Sequence, residues 1–224
     1  MTWIRTTYEF ASLFSYRIPD FSSQYALSSI LPGPSTIKLA IVSTAIEISG
    51  DINYGKEIFE IIKNVKIGIR LPNKIAQNNV LIKRLKKKKE KSGLELTFGI
   101  RGYVHYPEKF DIYLDIPEYK IEDIEEILRN IRRFGTSDSL VWCSKIERKN
   151  PPNDIIFAVE SLKDKDKNIF IIPVKDINPK ADFDDINIYI KRKTKKDNLV
   201  RKIYPIKLSG RLLGKNWIVY EIAS

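Results

Sequence analysis

A dense run of positive charge lies between residues 78 and 106 and constrains the fold most, because like charges repel one another in a compact structure. Apolar residues recur on both sides of the run, which predicts two strands joined by a basic tip. One acid, Glu90, accompanies seven cations: Lys83, Arg84, Lys86, Lys87, Lys88, Lys89 and Lys91. Since a polyanion would relieve their repulsion, we expect this hairpin to contact nucleic acid.

The returning strand of this hairpin has two different faces. Its residues alternate between Phe98, Ile100, Val104 and Tyr106 on one side and Thr97, Gly99, Arg101, Tyr103 and His105 on the other. Aromatic and basic residues interleaved on a sheet face allow base stacking together with phosphate neutralisation. We therefore predict RNA contacts from Arg101, Tyr103 and His105.

The composition favours an anionic partner. The chain has 224 residues, 43% of them hydrophobic, and a formal net charge of +11. These values are typical of a soluble globular protein that binds either nucleic acid or an anionic membrane surface. A second basic segment at 191–202 indicates an extended surface along a nucleic-acid backbone. No segment approaches about 20 uninterrupted apolar residues, so we expect no membrane span and no membrane partner.

The chain has a single cysteine, Cys143, and a single histidine, His105. One cysteine excludes an intrachain disulfide, and together the two residues exclude a common Cys/His zinc site. The N-terminus lacks the pattern of a signal peptide. We therefore expect a protein of the reducing cytoplasm with no metal and no cofactor.

The predicted elements indicate an α+β fold. They are a strand at 3–10, a buried helix at 35–49, a helix at 51–64, a strand at 66–71, the basic hairpin, a strand at 110–116, a helix at 120–134, and strands at 140–146, 155–162, 168–174, 186–190, 200–208 and 217–222. The order strand, helix, strands, helix, strand is compatible with a ferredoxin-like (RRM-like) core. The later strands would complete that core and extend it into a small β lobe.

Two further local signals bear on this arrangement, and the second has two interpretations. Arg129, Arg132 and Arg133 are predicted in the last turns of the 120–134 helix, where they suit the negative end of its dipole, with Gly135 as its C′ residue. The segment 209–215 has two glycines and two cations, which suit either an approach to phosphate or a tight turn.

His105 must take part in any histidine-dependent catalysis. Metal-independent RNA cleavage needs a general base at the 2′-hydroxyl and a group that stabilises charge, and Tyr103, Arg101 and Lys83 are candidate neighbours. The alternative is a structural or stacking role for a histidine on a strand. We expect no catalytic residue, and His105 is the one candidate.

The segment that opens the buried helix carries a family resemblance. Pro32, Gly33, Pro34, Ser35 and Thr36 follow a short first strand and a long aromatic loop. This resembles the start of CRISPR-associated RAMP-superfamily proteins, in particular the fifth Cas class of Cascade subunits, with glycine replacing one proline. The basic hairpin resembles the thumb of that family, and 209–215 resembles its late glycine-rich loop. The resemblance covers the N-terminal two-thirds of the chain well and the last third loosely.

The resemblance implies a palm domain at 1–140, including a thumb hairpin at about 78–98, and a β-rich part at 141–224 that completes and extends the palm. It also implies a non-catalytic subunit of an archaeal type I CRISPR surveillance (Cascade) complex in antiviral defence. Such a subunit caps the crRNA 5′ handle, contacts the large subunit and the adjacent backbone subunit, and reaches target DNA only through the complex. The alternative is a metal-independent endoribonuclease that processes CRISPR repeat RNA.

By position, the resemblance implies RNA contacts from palm and thumb residues. They are Arg5, Tyr16, Arg17, Ser35, Lys83, Arg84, Lys86, Lys87, Lys88, Lys89 and Arg101. Tyr16 and Arg17 would stack on or clamp a nucleotide, or else pack within their loop. Ser35 lies in the first helical turn, which suits either phosphate binding or simple helix capping.

Overall fold

A computed structural model of the chain describes residues 1–22, 25–88, 92–162, 169–186 and 198–223. The strands in these ranges are β1 (Thr2–Phe10), β2 (Tyr25–Ala26), β3 (Ile67–Arg70), β4 (Lys74–Lys87), β5 (Leu94–His105), β6 (Phe110–Ile116), β7 (Val141–Arg148), β8 (Ile156–Phe157), β9 (Ile169–Ile177), β10 (Leu199–Leu213) and β11 (Trp217–Ile222). The helices are α1 (Pro34–Ser49), α2 (Ile52–Ile62), α3 (Ile121–Asn130) and α4 (Phe183–Ile186), with a 3₁₀ turn at Glu118–Lys120. The chain is therefore a mixed α and β protein.

The strands form two sheets. The first has the order β7-β1-β6-β3-β8, and all its neighbours are antiparallel. Four of its strands, β1, β3, β6 and β7, follow the predicted alternation with helices along the chain. The second sheet has the order β2-β5-β4-β11-β10-β9, with only the short β2–β5 pair parallel. The basic hairpin, β4 and β5, thus belongs to the second sheet.

Helix α1 links the other long helices to the second sheet. It packs against α2 and α3 and also against β9, the edge strand of the second sheet. Pro34 occupies its first turn, where the missing N–H removes no helical bond, and Gly50 ends it at φ 68°. The side chain of Asp51 then accepts a hydrogen bond from the backbone N–H of Asn53 at 2.8 Å and caps α2. The end of α1 at Gly50 and the start of α2 after Asp51 agree with the prediction, whereas α2 ends at Ile62, before the predicted end at 64.

The one cation inside α1 is buried and paired. Lys38 is 2% exposed, and its Nζ lies 2.8 Å from Oδ1 of Asp176 on β9. Nζ of Lys202 on β10 lies 2.8 Å from the other oxygen of the same carboxylate. Burial lowers the pKa of Lys38, and the charge of Asp176 opposes that shift. Because a buried charge without its partner is costly, this contact fixes α1 against the second sheet.

The helix predicted at 120–134 is too long. Helix α3 ends at Asn130, and the carbonyl oxygen of Arg132 accepts a hydrogen bond from the backbone N–H of Val141 at 2.8 Å. The chain therefore turns back on itself immediately after α3 and pairs with the start of β7. Arg132 and Arg133 lie outside the helix, so their predicted interaction with its dipole is wrong.

Three later predictions also change. The 155–162 strand shortens to β8, because Val159 pairs with Ile203 of β10 and the segment crosses from the first sheet to the second. Ile186 ends α4 instead of starting a strand, and 187–190 lies outside the described residues. The 209–215 segment is mostly strand: β10 runs to Leu213 with an irregular register near Gly210, so the tight-turn alternative applies only at its end.

Neither a membrane-spanning helix nor a metal-binding cluster is found among the described residues. In the described ranges, no helix has the length and apolar character needed to cross a membrane. In the same ranges, no group of three or more His, Cys, Asp and Glu side chains is placed to hold a metal ion.

Asp176→Asn tests the buried ion pair. The change leaves the buried Lys38 ammonium without its carboxylate, and we expect the free energy of unfolding to fall by about 3–5 kcal/mol in denaturant titrations. Lys38→Met should cost less, because Asp176 keeps Lys202. As a control, Lys74→Met breaks the surface pair with Glu221 and should cost less than about 1 kcal/mol. Equal losses in Asp176→Asn and Lys74→Met would contradict this account.

The same variant should respond to pH. A lysine whose pKa is lowered by folding destabilises the native state while it is protonated, and stability rises as the pH passes that lowered pKa. Asp176→Asn should therefore regain stability on the alkaline side, up to about pH 10.4, where lysine also deprotonates in the unfolded chain. A flat pH profile for this variant relative to the wild type would contradict the prediction.

Candidate nucleic-acid interface

Strands β4 and β5 form one long hairpin, as predicted. Their residues pair in unbroken register from Ala76 opposite His105 to Lys87 opposite Leu94. Strand β11 pairs with β4 only as far as Asn78, and β2 pairs with β5 only at 100–101. Beyond these positions β4 and β5 pair only with each other among the described residues, so the distal hairpin projects from the second sheet.

The register divides the cations of the hairpin between its two faces. Residues opposite each other in an antiparallel pair project to the same side, and sides alternate along each strand. Arg84 lies opposite Thr97 and therefore shares a face with Arg101 and His105. We call this the basic face, and its members are Val80, Ile82, Arg84, Lys86, Glu95, Thr97, Arg101, Tyr103 and His105.

The basic face carries unneutralised charge. Arg84 and Lys86 are exposed and Arg101 is half-buried. None of the three makes an ion pair with a described residue. Tyr103 and His105 add two rings on the same side, nearer the sheet. This face therefore offers cations for phosphates and rings for bases.

The opposite face of the distal hairpin is apolar and uncovered. We call it the apolar face, and its members are Leu81, Lys83, Leu85, Lys87, Leu94, Leu96, Phe98 and Ile100. Leu81, Leu85 and Phe98 are 60%, 66% and 55% exposed. Val104 on the same side of β5 is fully buried. The predicted alternation of β5 is thus confirmed, but its distal apolar residues extend beyond the core.

The structure brings only some of the residues predicted to assist catalysis onto the face of His105. Arg101 and Tyr103 share the face of His105, whereas Lys83 lies opposite Phe98 and belongs to the apolar face. The Nζ of Lys83 lies 5.9 Å from the centroid of the Phe98 ring, at the outer limit of a cation–π contact. The prediction that Lys83 neighbours His105 is wrong, because a shift of one residue along a strand reverses the face.

The long aromatic loop is packed against the base of the hairpin. Phe14 and Val104 exchange two backbone hydrogen bonds of 2.8 and 2.7 Å. The hydroxyl of Ser15 donates to the carbonyl oxygen of Gly102 at 3.0 Å. A Cβ at Gly102 would lie 2.5 Å from the backbone nitrogen of Ser28, so glycine permits this approach. The loop therefore positions the stretch of β5 that carries Arg101 and Tyr103.

Tyr16 and Ser35 both line a second site, a groove of about 540 Å³ beside α1. The Tyr16 ring lies against Gly135, where a Cβ would come within 2.9 Å of it. Ser35 is buried at the start of α1. Arg132 and Arg133 also line this groove. Sequence reasoning missed the two arginines as site residues, because it placed them within a helix.

The other predicted contacts lie elsewhere. Arg5, on β1 of the first sheet, is paired with Asp111 at 2.9 Å and with Glu147 at 3.2 Å. Arg17 is exposed and Lys88 is exposed just after β4. Lys89 lies outside the described residues, as do Lys91 and most of the second basic segment, at 191–197.

The two described cations of that second segment are neutralised by acids. Arg201 lies 3.1 Å from an oxygen of Asp20, and Lys202 is held by Asp176. The cations Arg84, Lys86 and Arg101 of the hairpin, by contrast, make no ion pair with a described residue.

Comparison with known proteins places this geometry in context. No family model matches the chain. The chain is 41% identical over 232 aligned positions to a protein of Archaeoglobus fulgidus described as CRISPR-associated protein Cas5, with 99% of each chain covered. A crystal structure of a CRISPR protein from Archaeoglobus fulgidus superposes with a TM-score of 0.55 and 17% identity, covering 100% of this chain and 93% of that one. The latter likeness shows a shared fold.

Gly102→Ala tests the packing at the base of the hairpin. The new Cβ would meet backbone rather than a flexible side chain, so we expect the free energy of unfolding to fall by about 1–3 kcal/mol. Gly33→Ala is the control, because its Cβ would make an ordinary contact of 3.5 Å with the carbonyl oxygen of Lys175. We expect that control to cost less than about 1 kcal/mol. Equal effects in denaturant titrations would contradict the close approach.

Proposed function

The chain belongs to the Cas5 family of CRISPR-associated proteins, and on that premise we propose that it is a non-catalytic, RNA-binding subunit of a type I CRISPR surveillance (Cascade) complex. It caps the 5′ handle of the crRNA, contacts the large subunit and the adjacent backbone subunit, and meets target DNA only through the complex in the cytoplasm. The observation that carries the proposal is the 41% identity across almost the whole of both chains.

The basic face of the hairpin binds the RNA backbone. Arg84, Lys86 and Arg101 neutralise phosphates, and each neutralised phosphate releases counterions from the RNA. Lysine is a flexible point charge, so the lysines hold the backbone rather than read the bases. Tyr103 and His105 contribute stacking surfaces. We assign His105 the role of a contact, since Lys83, one of the three residues proposed to assist it as a base, lies on the other face.

The first sheet is the palm of this subunit. Strands β7, β1, β6 and β3, with α1 and α3, form the ferredoxin-like (RRM-like) core, and the hairpin is the thumb inserted between β3 and β6. The palm with its thumb spans 1–140, and 141–224 completes it through β7 and extends it through β9 to β11. Arg5, Arg17 and Ser35 belong to the palm side of the RNA surface.

The apolar face of the hairpin meets protein. Leu81, Leu85 and Phe98 are more than half exposed on one side of a projecting strand pair. Contiguous apolar surface of this kind marks protein interfaces. We assign it to the adjacent backbone subunit, so that the hairpin holds RNA on one face and a protein neighbour on the other.

Two double variants with the same change in charge test the basic face. Arg84→Ser with Lys86→Ser removes two cations from it, and Lys83→Ser with Lys87→Ser removes two from the opposite face of the same strand. Binding of a crRNA fragment with its 5′ handle is measured by fluorescence anisotropy at several salt concentrations. The slope of log Kd against log salt falls by about 0.7 for each phosphate of single-stranded RNA that the protein no longer neutralises. We expect a fall of about 1.4 for the first variant and no change for the second.

Two results would contradict this proposal. Equal changes in the two double variants would show that the hairpin acts through net charge alone and has no RNA-facing side. Failure of the wild-type chain to bind the crRNA fragment at any salt concentration would remove the RNA-binding function itself.

A further inference from the structure

The groove beside α1 begins at the helix N-terminus. The first backbone N–H groups of a helix have no partner within it and favour negative charge. Thr36 in this first turn is 9% exposed, and its hydroxyl oxygen is buried without a hydrogen-bond partner among the described residues. Native proteins rarely leave a buried hydroxyl unpaired, so such a group points to a ligand or a function.

Two arginines also line this groove. Arg132 and Arg133 are exposed, and neither makes an ion pair with a described residue. Their backbone is held in place, because the carbonyl oxygen of Arg132 accepts a hydrogen bond from the N–H of Val141 and Arg133 forms a β-bridge with Leu140. A guanidinium binds phosphate through two parallel N–H groups, so two arginines that line one groove favour a phosphodiester.

The carboxylate that lines the described part of the groove is at its far end. Glu47 lies in the last turn of α1, at a distance of about 18 Å along the helix from Ser35. Its Oε1 accepts a hydrogen bond from the hydroxyl of Ser43 at 3.2 Å. Apart from Glu47, the charged residues that line the groove among those described are the cations Arg132 and Arg133.

An aromatic ring also lines the groove. Tyr16 is half-buried and lies against Gly135 at the groove wall, with apolar Leu39 and Leu140 also lining it. Cations for phosphate and a ring with apolar surface for a base are the two elements of single-stranded nucleic-acid binding.

The groove is connected to the hairpin through one short segment. The hydroxyl of Ser15 donates to Gly102 of β5 at 3.0 Å, and its backbone N–H donates to the hydroxyl of Ser139 at 3.0 Å. Ser15 therefore joins the base of the hairpin to the turn that carries the two arginines. Tyr16, the next residue, lies on the groove side of this junction.

We propose that this groove is a second RNA subsite, in which Arg132 and Arg133 bind a phosphodiester of single-stranded RNA and Tyr16 stacks on a neighbouring base. The inference rests on the proposed RNA-binding function and extends the RNA path from the hairpin, past Ser15, to the N-terminal end of α1.

Arg132→Gln with Arg133→Gln tests the phosphate contacts. The control is Arg129→Gln with Lys149→Gln, two exposed cations that do not line the groove and make no ion pair with a described residue. With the full chain and the crRNA fragment, we expect the groove variant to bind about tenfold more weakly and its salt slope to fall by about 0.7, since the two arginines neutralise one phosphodiester. The control should stay within about twofold, with its slope unchanged.

Tyr16→Leu tests the stacking contact separately. Removal of one base–aromatic stack should weaken binding by about tenfold while leaving the salt slope unchanged. Since Tyr16 also packs against Gly135, thermal unfolding of the variant is compared with that of the wild type. Photo-crosslinking of 4-thiouridine-substituted RNA to the unmodified chain, followed by peptide mapping, gives a second readout, and we expect a crosslink at Tyr16.

The outcomes separate this inference from the proposed function. Equal weakening by the groove and control variants, or crosslinks confined to the hairpin, would overturn the subsite. If Arg84→Ser with Lys86→Ser still lowers the salt slope in that case, the proposed function stands without the groove. A wild-type chain that does not bind the RNA would overturn both.

Discussion

The buried ion pair between Lys38 and Asp176 joins α1 to the second sheet. Lys38 belongs to α1, which forms one wall of the groove, and Asp176 belongs to β9, in the same sheet as the hairpin. Lys202 of β10 binds the second oxygen of Asp176 and so ties another strand to the same point. Because such charges are stable in a core only when paired, the contact has few alternative geometries. It thereby connects α1, which lines the groove, to the sheet that also contains the hairpin.

The hairpin has one basic and one apolar face, although its distal part projects beyond the core. Strict strand alternation places Arg84, Lys86 and Arg101 on one side and Leu81, Leu85 and Phe98 on the other. An exposed apolar strand pair promotes aggregation of an isolated protein. In a subunit of an assembly, a neighbouring protein covers such a surface. The two faces thus support a proposal in which RNA and protein occupy opposite sides of one element.

Local signals explain what could be predicted from the sequence. Helix α1, its end at Gly50, the cap at Asp51 and the hairpin itself follow from periodicity and from residues adjacent in the chain. The partner of Lys38 could not be predicted, since Asp176 is remote in sequence and only the fold brings it near. Likewise, no local pattern showed that α3 stops at Asn130, because pairing with β7 decides it. Which lysines join Arg101 depends on the strand register, and alternation alone does not supply it.

The most direct test of the central claim is selectivity for the crRNA handle in the assembled complex. Complexes are reconstituted with crRNA carrying the native 5′ handle or a scrambled handle of the same length and composition, and the incorporation of this subunit is measured for each. A subunit that caps the handle should be incorporated with the native sequence and absent or strongly depleted with the scrambled one. Equal incorporation with both handles would contradict the account, because charge alone does not distinguish two RNAs with the same number of phosphates.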